Sequence, residues 1–374
     1  MTLNRRELLS ASALLLAGPA ALLRATAGAA AAGTPATRTS PAVLCWNENP
    51  YGPSPAAREA VSHAIPEGCR YPDDDEVDAL NALIARREGV GLDYIANGTG
   101  SGELLRALGL LYGQGGGEII AAVPTYTELT RYAERRGAVV KFVPVDAQLR
   151  HDLPAMQAAL SAHTRAVYLC NPNNPTGTAL PAADIRAFVR ALPAGVTAIV
   201  DEAYMDFATA PGVESVVDLV WSEERRRVVV LRTFSKIHGM AGVRFGYAVA
   251  RPDIAADLDG ACMTTPNIFA VRAARASLGD AAFRADCRSR ILASRARITD
   301  ELTRRGLRYA EPQGNFVFFD TGMPHERFSG LMKSRYILVG RHFAPYDSWC
   351  RISIGTEPEV DAFLGTLGDV TQPA

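Results

Sequence analysis

Apolar, β-branched runs recur through the middle of the chain: EIIAAV from 118, AVVKFVPV from 138, AVYLC from 166, VTAIV from 196, RVVVL from 227 and FGYAVA from 245. Segments with helical spacing, such as Ala182 to Leu192, separate them. This alternation predicts an α/β fold with a mostly parallel sheet covered on both faces. Earlier in the chain, DYIANGTGSGELLRALGLLYG predicts a short strand, a glycine-rich turn and an amphipathic helix with Leu104, Leu105 and Leu108 on one side. In RYPDDDEVDALNALIARREGV, Val77, Leu80, Leu83 and Ile84 recur at helical spacing, and Asp73 to Asp75 stand where carboxylates suit the helix dipole. Asn47, Asn49 and the prolines of LCWNENPYGPSP predict an extended arm up to Ala56. From about Asn267 the pattern predicts one long linking helix into a smaller α+β domain, with strands at GNFVFFD, ILVG and RISIG.

The first thirty or so residues depart from this pattern. Arg5 and Arg6 precede an apolar run from Leu8 to Leu23 and then alanine and glycine, the layout of an export signal of the twin-arginine type. The expected division is therefore a signal over 1–33, a linker and arm over 34–60, a large domain over 61–270 and a small domain over 271–374. The expected location is the periplasm or another exported compartment, with no permanent membrane association once the signal is removed. A length of 374 residues suits one large domain with an appendage, and 39 basic against 40 acidic side chains give no general reason to bind nucleic acid. The ligand expected is small. Six cysteines without CxxC spacing and six histidines without HExxH predict no zinc site, and they leave the disulfide state open.

The chemistry concentrates in LRTFSKIHGMAGVRFGY, where a β-rich run ends in Thr233, Ser235 and Lys236, followed by Gly239, Gly242 and Gly246 around Arg244. A lysine amine is nucleophilic only when neutral, which desolvation or neighbouring cations favour. Hydroxyls and an arginine beside it suit a phosphate. Aldehyde chemistry next to a phosphate site points to pyridoxal 5'-phosphate, although an ordinary surface lysine after a strand would look the same in isolation. The GTGSG turn adds backbone donors at Ser101 and Gly102, at the start of a helix where anions bind. It lacks the third glycine of a dinucleotide fingerprint. Asp201 ends another apolar run in DEAYMDF, where a buried carboxylate needs a cationic partner.

The pattern SKxxGxxGxR resembles the cofactor-lysine segment of the class I and II aminotransferases, especially the histidinol-phosphate aminotransferase group. The likeness extends in order through NENPYGPSP, YPD, NPNNPTG, DEAY and WCRISIG, from about Leu44 to Gly355. It implies a fold-type I enzyme in which pyridoxal 5'-phosphate is held on Lys236 as a Schiff base and Asp201 faces the pyridine nitrogen. It further implies that Tyr126 stacks on the ring, that Asn174 and Tyr204 meet the phenolic oxygen, and that Ser101, Gly102, Ser235 and Arg244 take the phosphate. Gly102 stands where the family usually has an aspartate, so only a backbone role carries over there. Tyr71 is implied to reach the phosphate of a partner subunit, which makes the expected unit a homodimer with shared sites. Arg351 is implied to take the substrate α-carboxylate, with Tyr51 near the substrate entrance and Arg341 and His342 near the distal end of the substrate. The expected reaction moves an amino group between an amino acid, or an amine such as histidinol phosphate, and a 2-oxo acid. Oxidation, elimination or decarboxylation on the same cofactor, and a ligand-binding module without turnover, are the alternatives.

Overall fold

In the computed structural model, which describes residues 40–223 and 227–370, each of the six apolar, β-branched runs from the middle of the chain becomes a strand. The predicted export segment lies outside the described residues. In chain order the strands are β1 (Ala42–Leu44), β2 (Ile95–Gly98), β3 (Glu118–Val123), β4 (Val139–Pro144), β5 (Thr164–Cys170), β6 (Thr197–Asp201), β7 (Arg227–Thr233), β8 (Gly246–Ala250), β9 (Phe316–Asp320), β10 (Ile337–Val339) and β11 (Trp349–Ser353). The helices are α1 (Pro55–Ala64), α2 (Asp74–Glu88), α3 (Ser101–Gly113), α4 (Glu128–Arg135), α5 (Leu153–Ala158), α6 (Ala182–Ala191), α7 (Leu219–Ser222), α8 (Pro252–Ala261), α9 (Ile268–Gly279), α10 (Ala281–Arg304), α11 (His325–Ser334) and α12 (Glu357–Val370).

The central sheet has the order β2-β8-β7-β6-β5-β3-β4. Strand β8 runs antiparallel to both neighbours and the remaining pairs are parallel, so the sheet is mostly parallel. The period-two geometry of a strand explains why such continuous apolar runs are needed. Val228 and Val230 join one core with Val167, Leu169, Ala198 and Val200, while Val229 and Leu231 join the opposite core with Ala166, Tyr168 and Ile199. Neither face is left to water. Burial of each such side chain contributes about 1.5–3 kcal/mol, which holds the strand ends in fixed register.

A further core lies C-terminal to the sheet. Phe316, Val317 and Phe319 of β9 and Ile352 of β11 pack with Ile291, Ile298 and Leu302 of α10 and with Val360 and Phe363 of α12. Tyr204 and Ile237, which follow β6 and β7, also enter it. The two cores therefore meet where the strands of the large sheet end.

Two features differ from expectation. The single helix expected from Asn267 is two, α9 and α10, because Asp280 leaves the helical region (φ −95°, ψ 69°) and its carboxylate accepts the Phe283 N–H at 3.1 Å. That capping bond starts a new helix where Gly279 ends the old one. The strand β1 was not foreseen; it pairs in parallel with β10, Ala42 opposite Ile337, and anchors the extended arm that follows. The arm ends at α1, where the Ser54 hydroxyl accepts the Ala57 N–H at 3.2 Å. All six cysteines are free thiols.

Candidate active site

Strands β3, β5, β6 and β7 end at the same edge, and their C-terminal loops line a cavity of about 580 Å³ with the arm and the loop after β10. This is where ligands of open α/β sheets bind. Lys236 stands on its wall, three residues beyond β7. Its amine donates to the backbone oxygens of Asn47 at 2.9 Å and Trp46 at 3.3 Å, and it lies 5.4 Å from the centroid of the Tyr204 ring. Desolvation, followed by the positive charge of Arg351, pulls the Lys236 pKa from 10.5 down to about 7. A substantial fraction of the amine is therefore neutral at physiological pH. The arm lies close over the lysine loop. At Gly239 (φ +68°) a side chain would strike the Gly52 backbone, so only glycine fits there.

One end of the cavity is built for an anion. Ser101 and Gly102 open α3, whose first amides have no intrahelical acceptors and point N–H groups outward. The turn before them is fixed by Glu103, whose carboxylate accepts the Thr99 N–H at 2.6 Å and the Thr99 hydroxyl at 2.5 Å. Arg244 holds a left-handed backbone (φ +70°) that is unusual for arginine. Its guanidinium donates to the Ala241 oxygen at 2.9 Å and to the Ser235 hydroxyl at 3.4 Å, and it lies so close to Gly100 that a side chain there would have to displace it. Thr233 and Ser235 complete this end.

Across the cavity, Asp201 is 2% exposed at the end of β6. Its oxygens accept the Ala203 N–H at 3.1 Å and the Tyr168 hydroxyl at 3.3 Å, and no salt bridge to it occurs among the described residues. Burial raises its pKa to about 6. Asn174 donates to the Tyr204 hydroxyl at 3.3 Å and accepts from Arg351 at 2.5 Å. The second guanidinium nitrogen of Arg351 donates to the Cys45 oxygen at 2.8 Å, and its Nε is buried without a partner. This arginine has no carboxylate partner among the described residues, and desolvation pulls its pKa down. Tyr126 lines the same wall, its phenol pushed up to about 12 by burial and then by the charge of Glu128.

Ser101, Gly102, Tyr126, Asn174, Asp201, Tyr204, Ser235, Lys236, Arg244, Arg341 and Arg351 thus converge on one cavity from the loops after four strand ends, α3, the loop after β10 and β11. Three of the residues singled out in the sequence, Tyr71, Tyr51 and His342, do not. Tyr71 is 89% exposed in another cleft beside Pro72, Asp78 and Met263. Tyr51 turns into the C-terminal core, where the Arg290 guanidinium lies 3.9 Å from its ring centroid. Arg341 lines the mouth over the Phe343 ring, at 4.2 Å, while His342 pairs with Asp347 at 2.8 Å. Sequence reasoning missed Cys45, Trp46 and Asn47 of the arm, Arg106 and Arg131 of the α3 and α4 faces, and Phe343. Only Asn47 carried a signal, as the first residue of the NENP run.

The sequence and the fold agree with known proteins along nearly the whole described chain. The class I and II aminotransferase family matches residues 40–367, and the chain belongs to that family. It is 36% identical over 331 residues to the histidinol-phosphate aminotransferase of Moorella thermoacetica, covering 87% of this chain and 84% of that one. It is 38% identical over 328 residues to the aromatic amino acid aminotransferase of Rhodococcus jostii, covering 86% and 88%. Among solved structures, histidinol-phosphate aminotransferase from Sinorhizobium meliloti in complex with pyridoxal-5'-phosphate superposes with a TM-score of 0.81 at 29% identity, covering 89% of this chain and 91% of that one.

The lowered pKa of Lys236 gives a direct expectation. Labelling of the cofactor-free protein with a small amine-reactive reagent, followed by peptide mass spectrometry, should show Lys236 modified at a rate that rises with pH through about 7 and then levels. The exposed Lys333 serves as the internal reference. A Lys236 rate still climbing in proportion to hydroxide near pH 10 would contradict the burial argument.

Proposed function

We propose that this chain is a pyridoxal 5'-phosphate-dependent aminotransferase, moving an amino group between an amino acid, or an amine such as histidinol phosphate, and a 2-oxo acid. The observation that carries the reading is the pairing, in one cavity, of a lysine amine with its pKa lowered to about 7 and a buried carboxyl without a cation. The residues fit the cofactor on three counts. The uncompensated Asp201 suits a pyridine N–H, which would restore its charge. The α3 amides with Ser235 and Arg244 suit a phosphate dianion. The partly neutral amine of Lys236 suits an aldehyde carbon.

When bound, the cofactor supplies an aldehyde and a conjugated ring able to accept the electron pair left at Cα. The chain does the rest. Lys236 Nζ would hold the aldehyde carbon until a substrate amine displaces it, and the freed amine would then take the proton from the substrate Cα and deliver it to the former aldehyde carbon across the shared nitrogen. Asp201 would hold the proton on the ring nitrogen, Asn174 and Tyr204 would take the phenolic oxygen, and Tyr126 would stack on the ring. Arg351, already fixed by Asn174 and the Cys45 oxygen, offers its planar fork to the substrate α-carboxylate. Phe343, Arg131 and Arg341 also line the cavity, a mixture that suits an aromatic ring or a distal anion.

The test is the half-reaction. Mixing the loaded enzyme with an amino donor alone should convert the cofactor to pyridoxamine phosphate, which elimination or decarboxylation would not do. A donor panel of histidinol phosphate and the aromatic amino acids, each with 2-oxoglutarate, identifies the substrate. Lys236→Ala should remove the covalent link and lower turnover by at least about 10³-fold. A fully active variant would sink the assignment.

Assembly and location belong to the same proposal. The exposed Tyr71, a side chain made for burial, supports a homodimer in which it reaches the partner's phosphate site. Sedimentation should find a dimer, and a monomer with full activity at assay concentration would contradict this.

Export by the twin-arginine route rests on Arg5, Arg6 and the apolar run after them. Replacing both arginines with lysine should retain active enzyme in the cytoplasm. Full-length, unprocessed chain in the cytoplasm of wild-type cells would defeat the export reading.

A further inference from the structure

Tyr204 Oη is where two side-chain amides meet. Asn174 donates to it at 3.3 Å and Asn47, on the arm, at 3.2 Å. Both amide orientations are fixed by their other partners. Asn174 Oδ1 faces an Arg351 nitrogen at 2.5 Å, and a guanidinium can only donate, so Nδ2 must face Tyr204. For Asn47, the Ser353 hydroxyl accepts the Asn47 backbone N–H at 2.7 Å and donates to Asn47 Oδ1 at 3.0 Å. The hydroxyl proton is thereby directed at Oδ1, which leaves Nδ2 for Tyr204. A phenol oxygen has two lone pairs and one proton. With two N–H donors on the lone pairs, the proton must go elsewhere, and no acceptor for it occurs among the described residues. Tyr204 lines the cavity that holds Lys236 and Asp201.

We propose that Asn47 is a positioning residue of the transamination site: with Asn174 it occupies the lone pairs of Tyr204 and so turns the phenolic proton into the cavity, toward the phenolic oxygen of the bound cofactor. The inference rests on the aminotransferase reading above. Asn47 is suited to the task by its backbone as well. It is 1% exposed with φ +54°, a left-handed conformation that asparagine tolerates better than most residues. Its carbonyl accepts Lys236 Nζ at 2.9 Å and Asn315 Nδ2 at 3.1 Å. One arm residue thus touches both the lysine and the phenol. Donation onto an oxygen also strengthens the bond that the oxygen's own proton makes, so loss of the amide weakens the Tyr204 contact as well as freeing its direction.

Two variants separate this role from simple packing. Asn47→Gly keeps the left-handed backbone and the carbonyl but deletes the amide. Asn47→Asp keeps the shape and replaces the donor with an acceptor that competes for the phenolic proton. The readout is the pH midpoint of the bound cofactor's visible absorption, which a hydrogen bond to its phenolic oxygen lowers by favouring the ionised oxygen. The midpoint should rise by about one unit in Asn47→Gly and further in Asn47→Asp. Tyr204→Phe sets the limit of the shift, and Ser353→Ala, which frees the amide to turn, should move the midpoint in the same direction. A purely structural role would lower thermal stability or cofactor affinity and leave the midpoint where it is. Unchanged midpoints in both Asn47 variants, with Tyr204→Phe shifted, would overturn the inference while leaving the aminotransferase reading intact. An unaltered protein with no visible cofactor band would overturn that reading and the inference with it.

Discussion

The site depends on the register of β5, β6 and β7 at their C-terminal ends. Cys170 stands opposite Asp201, and Asp201 opposite Leu231. The ladder runs on past the strands, with Asn171 N–H donating to the Asp201 oxygen at 2.9 Å and Glu202 N–H to the Leu231 oxygen at 3.0 Å. Beside this seam a buried ion pair joins Arg232 to Glu202 at 3.1 Å, with Glu88 3.8 Å from the same guanidinium and accepting the Tyr247 hydroxyl at 2.5 Å. Desolvation offsets most of the attraction in such a pair, so its net contribution is small. Removing one partner, however, leaves an unpaired buried charge and costs about 3–5 kcal/mol. The pair therefore acts chiefly against misalignment. A slip of one residue between β6 and β7 would turn Asp201 to the opposite face of the sheet and separate it from Lys236.

Burial then sets the charges. It lowers Lys236 to about 7 and raises Asp201 to about 6, each toward neutrality. Both shifts oppose folding of the cofactor-free protein. The lysine cost is present in full below about 7 and fades as pH rises toward 10.5, because only the unfolded chain keeps the proton in that window. The aspartate cost is absent below about 3.8, where the carboxyl is protonated in both states, grows as pH rises and is complete above about 6. Between these limits, close to neutral pH, the empty site carries both. A ligand that takes the lysine nitrogen into a covalent bond and offers Asp201 a cation relieves both at once, so the site is complementary to a cofactor before any packing is considered.

Much of this could be read from the chain. The doubly buried strands announced themselves because a sheet covered on both faces tolerates no polar alternation, and the polar residues that interrupt those runs, Asp201, Ser235 and Lys236, had to lie at their ends. The amide cradle at Ser101 and Gly102 followed from glycines before a helix. What stayed hidden depends on approach from distant sequence. Nothing near Asn47 shows that it reaches Tyr204, 157 positions away, or that its carbonyl holds Lys236. Tyr51 was misplaced for the same reason: the arm's path fixes Asn47 in the cavity and turns Tyr51 to the other side, under Arg290. The break at Asp280 was written in the sequence as Gly-Asp, but arginine-rich helical spacing on both sides outweighed it. Tyr71 stands exposed beside Pro72, in a cleft apart from this cavity.

The cofactor's ring accepts electrons from any bond at Cα, so the protein must decide which bond breaks. Under the roles proposed above, the decision falls to Arg351 and Lys236. Arg351 cannot swing freely: Asn174 fixes one nitrogen, the Cys45 oxygen another, and Phe316 and Phe343 lie 5.6 and 5.0 Å from its guanidinium carbon. A carboxylate held in that fork keeps its charge and its solvation by donors, and both oppose loss of carbon dioxide, which requires the carboxylate to shed them. The Cα–H bond is left as the one to break, and the proposed base for it, Lys236, lines the same cavity with its nitrogen 5.4 Å from the Tyr204 ring centre. Under those proposed roles one residue holds the substrate and the other moves its proton, which is why a rigid arginine matters here as much as a reactive lysine.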